Sequence, residues 1–393
     1  MPNTARIRPL AQAASRAPLA PGWAARRRLL RSIVTALPAP WLPTVAGAAP
    51  PLPPFAPVSA GQALGFPRDH GAHPSFRTEW WYLTAWIDTP GGDAGLQVTF
   101  FRSRTGVGEQ NPSRFAPTQL LFAHAALSLP ERGHVDHEQI ARRADGPHAR
   151  FSLTDTDILI GPPRQRWQLS RDDDDRYRIA VETPRMSMQL RTEAGAPAPW
   201  LQGSQGFSRK GPAPEQASYY YSRPRLSLTG QCTLGERRIP VRAGLAWLDH
   251  EWSSTLLADS ATGWDWVGLN FLDGRSLMAF RIRDRAGTDL WNTANWRAAD
   301  GGSQGDEVRF EPLRSWRSPA TGIDYPVEMR LTLADGASLR LRPLFDDQEI
   351  DARASTGTLY WEGAVTVLDE RRELAEIGRG YLELTGYAGA VRL

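Results

Sequence analysis

Past Gly61 the chain is a succession of short apolar alternations broken by Gly, Pro, Asp and Asn. No stretch sustains a helical period; only LDERRELAEI at 368–377 suggests one turn or a loop. The pattern predicts an antiparallel, all-β chain rich in hairpins, built as barrels or sandwiches. The strongest hairpin signal is Asp273-Gly274, set between WDWVGLNFL and RSLMAFRIR, because Asp-Gly suits a tight type I′ turn. Asp335-Gly336 repeats it between VEMRLTLA and ASLRLRPL, and TPGGDAG at 89–95 joins TEWWYLTAWID to LQVTFFRS.

Alternation also assigns faces. In 78–88, Glu79, Trp81, Leu83, Ala85 and Ile87 share one side of a strand, while Trp80, Tyr82, Thr84 and Trp86 share the other. Glu79 therefore sits on an apolar face. Either it pairs, with Arg77 as the nearest cation, or burial raises its pKa as a general acid requires. In GLAWLDHEWSS at 244–254, His250 faces with Leu248 and Trp252, and Asp249 and Glu251 face with Trp247. A partner for His250 then comes from another strand, Glu79 or Asp265 being candidates. A two-residue turn at Asp273-Gly274 pairs Leu272 with Arg275 and Trp266 with Arg281. One face would carry Val267, Leu269, Phe271, Met278, Phe280 and Ile282, with Asp265 at its rim. The other would lay Trp264 and Trp266 over Arg283 and Arg281 as a cation–π ladder. For Asp265 the alternatives are a solvated strand end and an acid at the core's edge.

Composition narrows the picture. A hydrophobic fraction of 41% in 393 residues supports a real core and two domains. Net charge is +3, Lys210 is the only lysine, and no basic run interleaves with aromatics in the body, so nucleic acid is not an expected partner. Cys232 stands alone, which rules out an intrachain disulfide and a multi-cysteine zinc site. Its LTGQCTLG context reads as a buried, inert thiol. Histidines spaced by three occur at His70/His73 and at His134/His137, the latter before Glu138, without a third convergent ligand in sequence. No metal or cofactor is expected. Phosphate-binding, dinucleotide and nucleophile-elbow motifs are missing. Fifteen tryptophans are a surplus that suits large barrel interiors or a ring-lined pocket.

The N-terminus reads as an address. Arg26-Arg27-Arg28-Leu29-Leu30-Arg31 fits a twin-arginine export pattern, followed by a modest apolar stretch and a small-residue cleavage site at Ala46-Gly47-Ala48. A basic tail, or a start placed too early, is the alternative. Pro38, Pro40 and Pro43 argue against a spanning helix. The expected organisation is an export segment at 1–50, a linker at 51–63, and domains at 64–248 and 249–393, with the mature protein periplasmic or secreted.

Four blocks carry a resemblance. HPSFRTEWWYLTAWI…GLQVTFFRS, GLAWLDHEWSS…GWDWVGLNFLDGRSLMAFRIRD, YWEGAVTV and GRGYLELTGYAG stand in order across residues 64–390. They resemble the carotenoid 1,2-hydratase/AttH-like family of secreted hydrolases. The resemblance implies two lipocalin-like antiparallel β-barrels in tandem. It implies an apolar ligand held in a barrel or between barrels, and addition of water across a carbon–carbon double bond without metal or organic cofactor. By position it points to Glu79, Trp80, Trp81 and Tyr82, and to Asp249, His250, Glu251 and Trp252. The secreted AttH-like branch is the nearer likeness, so substrate does not transfer with fold.

Two functions follow. The first is a cofactor-independent hydratase or hydrolase acting on an isoprenoid- or lipid-like molecule. Its candidate catalytic residues are Glu79, Asp249, His250, Glu251 and Asp265. Its candidate substrate-binding residues are Trp80, Trp81, Tyr82, Trp252, Trp264 and Trp266. Acids beside indoles suit a cationic intermediate stabilised by ring faces. The second is a non-catalytic carrier of a small apolar molecule, served by an ABC-type transporter or a membrane lipid source.

Overall fold

The computed structural model describes residues 55–391 apart from 114 and 145; the export segment and residues 51–54 of the linker lie outside the described residues. Among the described residues, twenty-three strands form two antiparallel sheets, the two tandem lipocalin-like barrels. The first sheet holds β1 (Thr78–Thr89), β2 (Gly92–Arg104), β3 (Gln119–Ser128), β4 (Val135–Arg143), β5 (Ala149–Phe151), β6 (Asp157–Ile160) and β7 (Trp167–Arg171). It continues with β8 (Tyr177–Glu182), β9 (Met186–Thr192), β10 (Trp200–Leu201), β11 (Phe207–Arg209), β12 (Ala217–Leu234) and β13 (Arg237–Thr255). The second holds β14 (Ala261–Phe271), β15 (Ser276–Asp284), β16 (Asp289–Arg297), β17 (Ser303–Asp306) and β18 (Val308–Arg317). Its remaining strands are β19 (Asp324–Leu333), β20 (Ser338–Pro343), β21 (Glu349–Ala352), β22 (Thr358–Asp369) and β23 (Ala375–Leu384).

The first sheet runs β4-β3-β2-β1-β13-β12-β9-β8-β7-β6-β5, with β10 and β11 on β12. Its two ends curl together where β4 meets β6. The second runs β17-β16-β15-β14-β23-β22-β20-β19-β18, with β16 approaching β18. Strand β13 pairs with β1 through Ser253 and with β12 through Thr255. The junction between barrels therefore falls in 256–260, not at 248/249: the DHEW segment completes the first sheet instead of opening the second.

Strands at the centre of each sheet are buried on both faces. β1 is nearly continuous in burial, with only Asp88 exposed, and β15 is buried from Ser276 to Arg283. One face of each fills its own barrel; the other packs against the neighbouring barrel. This is why three consecutive aromatics stand in Trp80-Trp81-Tyr82. Trp81, Leu83, Ala85 and Ile87 belong to the first barrel's core. Tyr82 and Trp86 belong to an aromatic seam between barrels, with Trp247, Trp266, Phe280 and Tyr381, and Trp80 packs against it. Peripheral strands keep the simple alternation, as in β9. Seven of the fifteen tryptophans stand in or against the seam: Trp80, Trp86, Trp200, Trp247, Trp264, Trp266 and Trp291.

The β14–β15 hairpin departs from the predicted register. Phe271 N–H donates to Arg275 O across a three-residue loop, with Gly274 at φ 93°. Asp265 then stands opposite Arg281, and Trp266 opposite Phe280. A slip of one residue moves a whole strand's side chains to the other face. No Trp–Arg ladder forms. Trp264, Trp266, Met278, Phe280 and Ile282 face the seam, while Val267, Leu269, Phe271, Leu277 and Ala279 fill the second barrel.

Candidate functional site

Two clusters of buried polar groups flank the wall of the first barrel. The inner one is centred on Glu79. β1 places it directly opposite Arg102 on β2 and Trp252 on β13. Arg102 Nε donates to Oε2 at 2.6 Å, His250 Nε2 to Oε1 at 2.9 Å, His73 Nδ1 to Oε1 at 2.7 Å, and the His73 backbone N–H to Oε2 at 2.9 Å. Burial works to raise the Glu79 pKa. Arg102 and the two histidines outweigh it and hold the carboxyl well below its ordinary value. Arg77 is exposed and takes no part. Burial pushes His250 down to about 4 against the pull of Glu79, so the ring is neutral. With its Nε2 proton on Glu79, its Nδ1 accepts from Tyr221 at 3.2 Å, and His70 Nδ1 reaches the same hydroxyl at 2.8 Å. Burial opposes protonation of His73 too, but Asp69 and Glu79 on its two nitrogens win and raise its pKa. Its ring stacks on Trp252 at 3.7 Å, and His250 stacks on Trp81 at 4.4 Å.

His73, Glu79 and His250 bring two nitrogens and an oxygen within 4.8 Å, the one group of metal-ligating spacing among the described residues. The fit to a cation is poor. The Arg102 guanidinium already neutralises Glu79, and every ligand atom is engaged in a hydrogen bond. His134, His137 and Glu138 do not join any such group. The inner cluster is a satisfied network that ties β1, β2, β13 and the 69–76 segment together.

The outer cluster lies one residue away along each strand. A cavity of about 300 Å³ opens between the barrels, walled by Trp80, Tyr82, Phe101, Tyr220, Trp264, Trp266 and Phe280. Asp249 enters from β13. Its Oδ1 accepts from Ser222 Oγ at 2.5 Å and Trp247 Nε1 at 2.7 Å; its Oδ2 accepts from Tyr220 Oη at 2.7 Å. Trp266 Nε1 in turn donates to Tyr220 Oη at 3.1 Å. Burial pushes the Asp249 carboxyl up to about 7, and these three donors limit the rise. From the second barrel come Glu362 and Glu383, paired across β22 and β23 and in register with Trp266 on β14. Burial, then the neighbouring Glu383, raises Glu362 well above its ordinary value. Burial carries half-buried Glu383 up to about 8. Lys210 Nζ meets Glu251 at 2.8 Å, over the rings of Phe280 and Tyr220. Carboxyls that hold protons near neutrality, set among rings, can give a proton to a bound molecule and take it back.

The AttH-like family model matches residues 57–387. The chain belongs to the AttH-like family. Among solved structures, a protein assigned as an AttH from Nitrosomonas europaea is 44% identical over 84% of this chain and 99% of its own, with a TM-score of 0.76. Kievitone hydratase from Nectria haematococca is 14% identical, with a TM-score of 0.62 over 85% of this chain and 96% of its own. CghA with Sch210972 is 18% identical, with a TM-score of 0.54 over 80% and 90%. The last two likenesses establish a shared fold. No curated protein matches the sequence.

Within this AttH-like fold the residues predicted from sequence separate into three places. Glu79, His250, Trp81 and Trp252 lie in the inner cluster, and Glu79 also borders the seam cavity. Asp249, Glu251, Trp80, Tyr82, Trp264 and Trp266 line the seam cavity. Asp265 belongs to neither. It is buried inside the second barrel, 2.7 Å from Arg281 Nε and 3.0 Å from Arg283 Nη2, with Tyr387 Oη at 3.1 Å. It is therefore neither a solvated strand end nor a partner of His250; the register slip set it against arginine. Glu362, Glu383, Lys210 and Tyr220 were not singled out from the sequence. The same signal that marked Glu79, a carboxylate inside an apolar strand, was present in YWEGAVTV and GYLELTGY.

Proposed function

We propose that this chain is a hydratase-like acid–base enzyme acting on an apolar, unsaturated molecule held in the seam cavity. The observation that carries this reading is Asp249: a carboxyl raised to about 7, oriented by three donors and facing a cavity of indole and phenol rings. A pKa near the working pH suits a group that must both give and accept a proton. In the proposed step, the alkene π electrons take the Asp249 proton and form a C–H bond. The adjoining carbon becomes cationic, facing the rings of Trp266 and Tyr82. Water adds to that carbon and returns its proton to the Asp249 carboxylate. The sum is H and OH across the double bond, with the acid regenerated. His250, on the far face of the same strand, orients Glu79 and takes no proton from the ligand.

The test begins with native mass spectrometry of the protein purified from its own host, to identify a co-purifying ligand. Asp249→Asn should lower turnover of that ligand by about 10²–10⁴-fold, the range of general acid–base catalysis, with the fold intact by circular dichroism. Unchanged turnover sinks the assignment. A carrier of the same ligand is the second reading, favoured by the apolar breadth of Phe101, Phe122, Leu256, Leu257 and Ile282 around the cavity. Wild-type protein that holds the ligand without converting it decides for the carrier. The reading also places the mature protein outside the cytoplasm, on the strength of the Arg26–Arg31 pattern. Cell fractionation, with Arg26→Lys/Arg27→Lys as comparison, tests that.

A further inference from the structure

The seam cavity has an excess of acid that the hydration step does not use. Five carboxylate residues border it: Glu79, Asp249, Glu251, Glu362 and Glu383. Of the two cationic residues on its border, Arg102 is held by Glu79 and Lys210 by Glu251. His124 also borders it; burial pushes that ring down to about 3, so it carries no charge. Glu362 and Glu383 form no ion pair among the described residues. The Tyr82 hydroxyl and Glu362 Oε1 are buried neighbours at the cavity, yet neither has a hydrogen bond of ordinary geometry. The Tyr381 hydroxyl, close to Glu362 but outside the lining of this cavity, is likewise without a partner among the described residues. Buried polar atoms left open in this way cost free energy unless something else satisfies them.

We infer that the ligand of this cavity carries a protonated amine, with Glu362 and Glu383 as its counter-ions and the indoles of Trp264 and Trp266 as its walls. The inference rests on the seam being the ligand site and is independent of the hydration step. A carboxylate pair beside ring faces is the chemistry that recognises an organic ammonium. The chain itself displays that chemistry at the cavity's edge: Lys210 Nζ sits 4.1 Å from the Phe280 ring centroid and 4.7 Å from that of Tyr220, capped by Glu251. A ligand ammonium repeats the arrangement deeper in, where the acids have no internal cation. The other titratable groups around the pair are Tyr82 from β1, Asp249 and the Lys210-bound Glu251 from β13, Tyr360 on β22 and Tyr381 on β23. Asp265 acts on Glu383 from the opposite face of β14, tied to Arg281 and Arg283.

The test is isothermal titration calorimetry of the full chain with octylamine, octan-1-ol and octanoate. Octylamine is expected to bind one to one, at least about tenfold more tightly than octanol, with octanoate weakest. The Glu362→Gln/Glu383→Gln variant should erase that preference and leave octanol affinity unchanged. A second readout needs only the wild type. Amine binding to the ionised pair expels a proton, so its affinity should climb between pH 6 and 8, by up to about tenfold per unit for one proton released, while octanol's stays flat. Octanol binding as tightly as octylamine, or a flat pH profile for the amine, overturns the ammonium and leaves the seam as a ligand site. Binding of none of the three overturns both.

Discussion

Glu79 and Asp249 are carboxylates on paired strands of one barrel wall, both buried, and they behave in opposite ways. Glu79 points inward and receives Arg102, His250 and His73; its pKa is held down. Asp249 points outward, receives only neutral donors, and its pKa climbs to about 7. Both lose their water. What differs is whether a cation replaces it. Desolvation alone favours the neutral acid, and a guanidinium reverses the sign. Adjacent positions on β13 therefore do unlike work: His250 helps close the barrel's inner network, and Asp249 offers a proton to the seam. A carboxylate fully occupied by partners is scaffold; one left with a transferable proton beside a cavity is equipped for chemistry.

The comparison breaks most visibly if the inner acid is removed. Glu79→Ala strands a fully buried Arg102 and is expected to destabilise the fold by about 3–5 kcal/mol, the cost of leaving a buried charge unpaired. Urea unfolding measures it, and a loss under 1 kcal/mol would show that the network is not holding the wall. The seam should be less sensitive to charge than to volume. A Cβ at Gly268 would meet Trp266 Cη2 at 2.5 Å and Trp247 Cδ2 at 2.9 Å, so Gly268→Ala should cost about 1–3 kcal/mol by overpacking. Trp fluorescence during the same titration would report whether the indoles move.

The raised acids predict a pH dependence of definite sign. Folded Glu383 titrates near 8, above its ordinary 4.5. Between those values the folded chain holds a proton that the unfolded chain has released. Stability therefore falls as pH rises through that window, by at most about 1.4 kcal/mol per unit for one group, and by less here because Glu383 is half-buried. Glu383→Gln removes this contribution, so the variant should gain on the wild type from pH 5 to pH 8. Parallel stability curves would mean that Glu383 is not desolvated. Glu79 has the opposite sign: its contribution is complete above the ordinary carboxyl range and is lost on acidification.

Much of this was legible in the chain. Period-two alternation marked the faces of β1 and β13 correctly, including the split of Asp249 from His250, because a strand's geometry fixes it locally. The four family blocks marked the paired barrels. What failed needed information beyond one strand. Glu79 found Arg102 rather than Arg77, since cross-strand neighbours outrank sequence neighbours and the strand order was unknown. Asp265 keeps the apolar face that alternation predicts, but a two-residue Asp-Gly turn gives it the wrong cross-strand neighbour; the third loop residue shifts the register and sets it opposite Arg281. Glu362 and Glu383 went unremarked because their meaning depends on a second barrel closing over them. An apolar strand signals burial without naming what buries it, and the seam is that missing partner.

The finest test of the contrast changes one hydroxyl. Tyr220 Oη donates to Asp249 Oδ2 and accepts from Trp266 Nε1. Its bond favours the ionised carboxyl, working against burial. Tyr220→Phe leaves Asp249 with Ser222 and Trp247 alone, so its titration midpoint should move upward from about 7, and stability should drop by about 1 kcal/mol for the lost hydrogen bond. The carboxyl C=O stretch, followed by infrared difference spectroscopy across pH with Asp249→Asn as blank, reads the midpoint. His250→Asn should leave that midpoint in place, because His250 lies across the barrel wall and contacts Glu79 rather than Asp249. A midpoint moved by His250→Asn and not by Tyr220→Phe would mean that the two faces of β13 share one proton network, and the division between scaffold and chemistry would have to be given up.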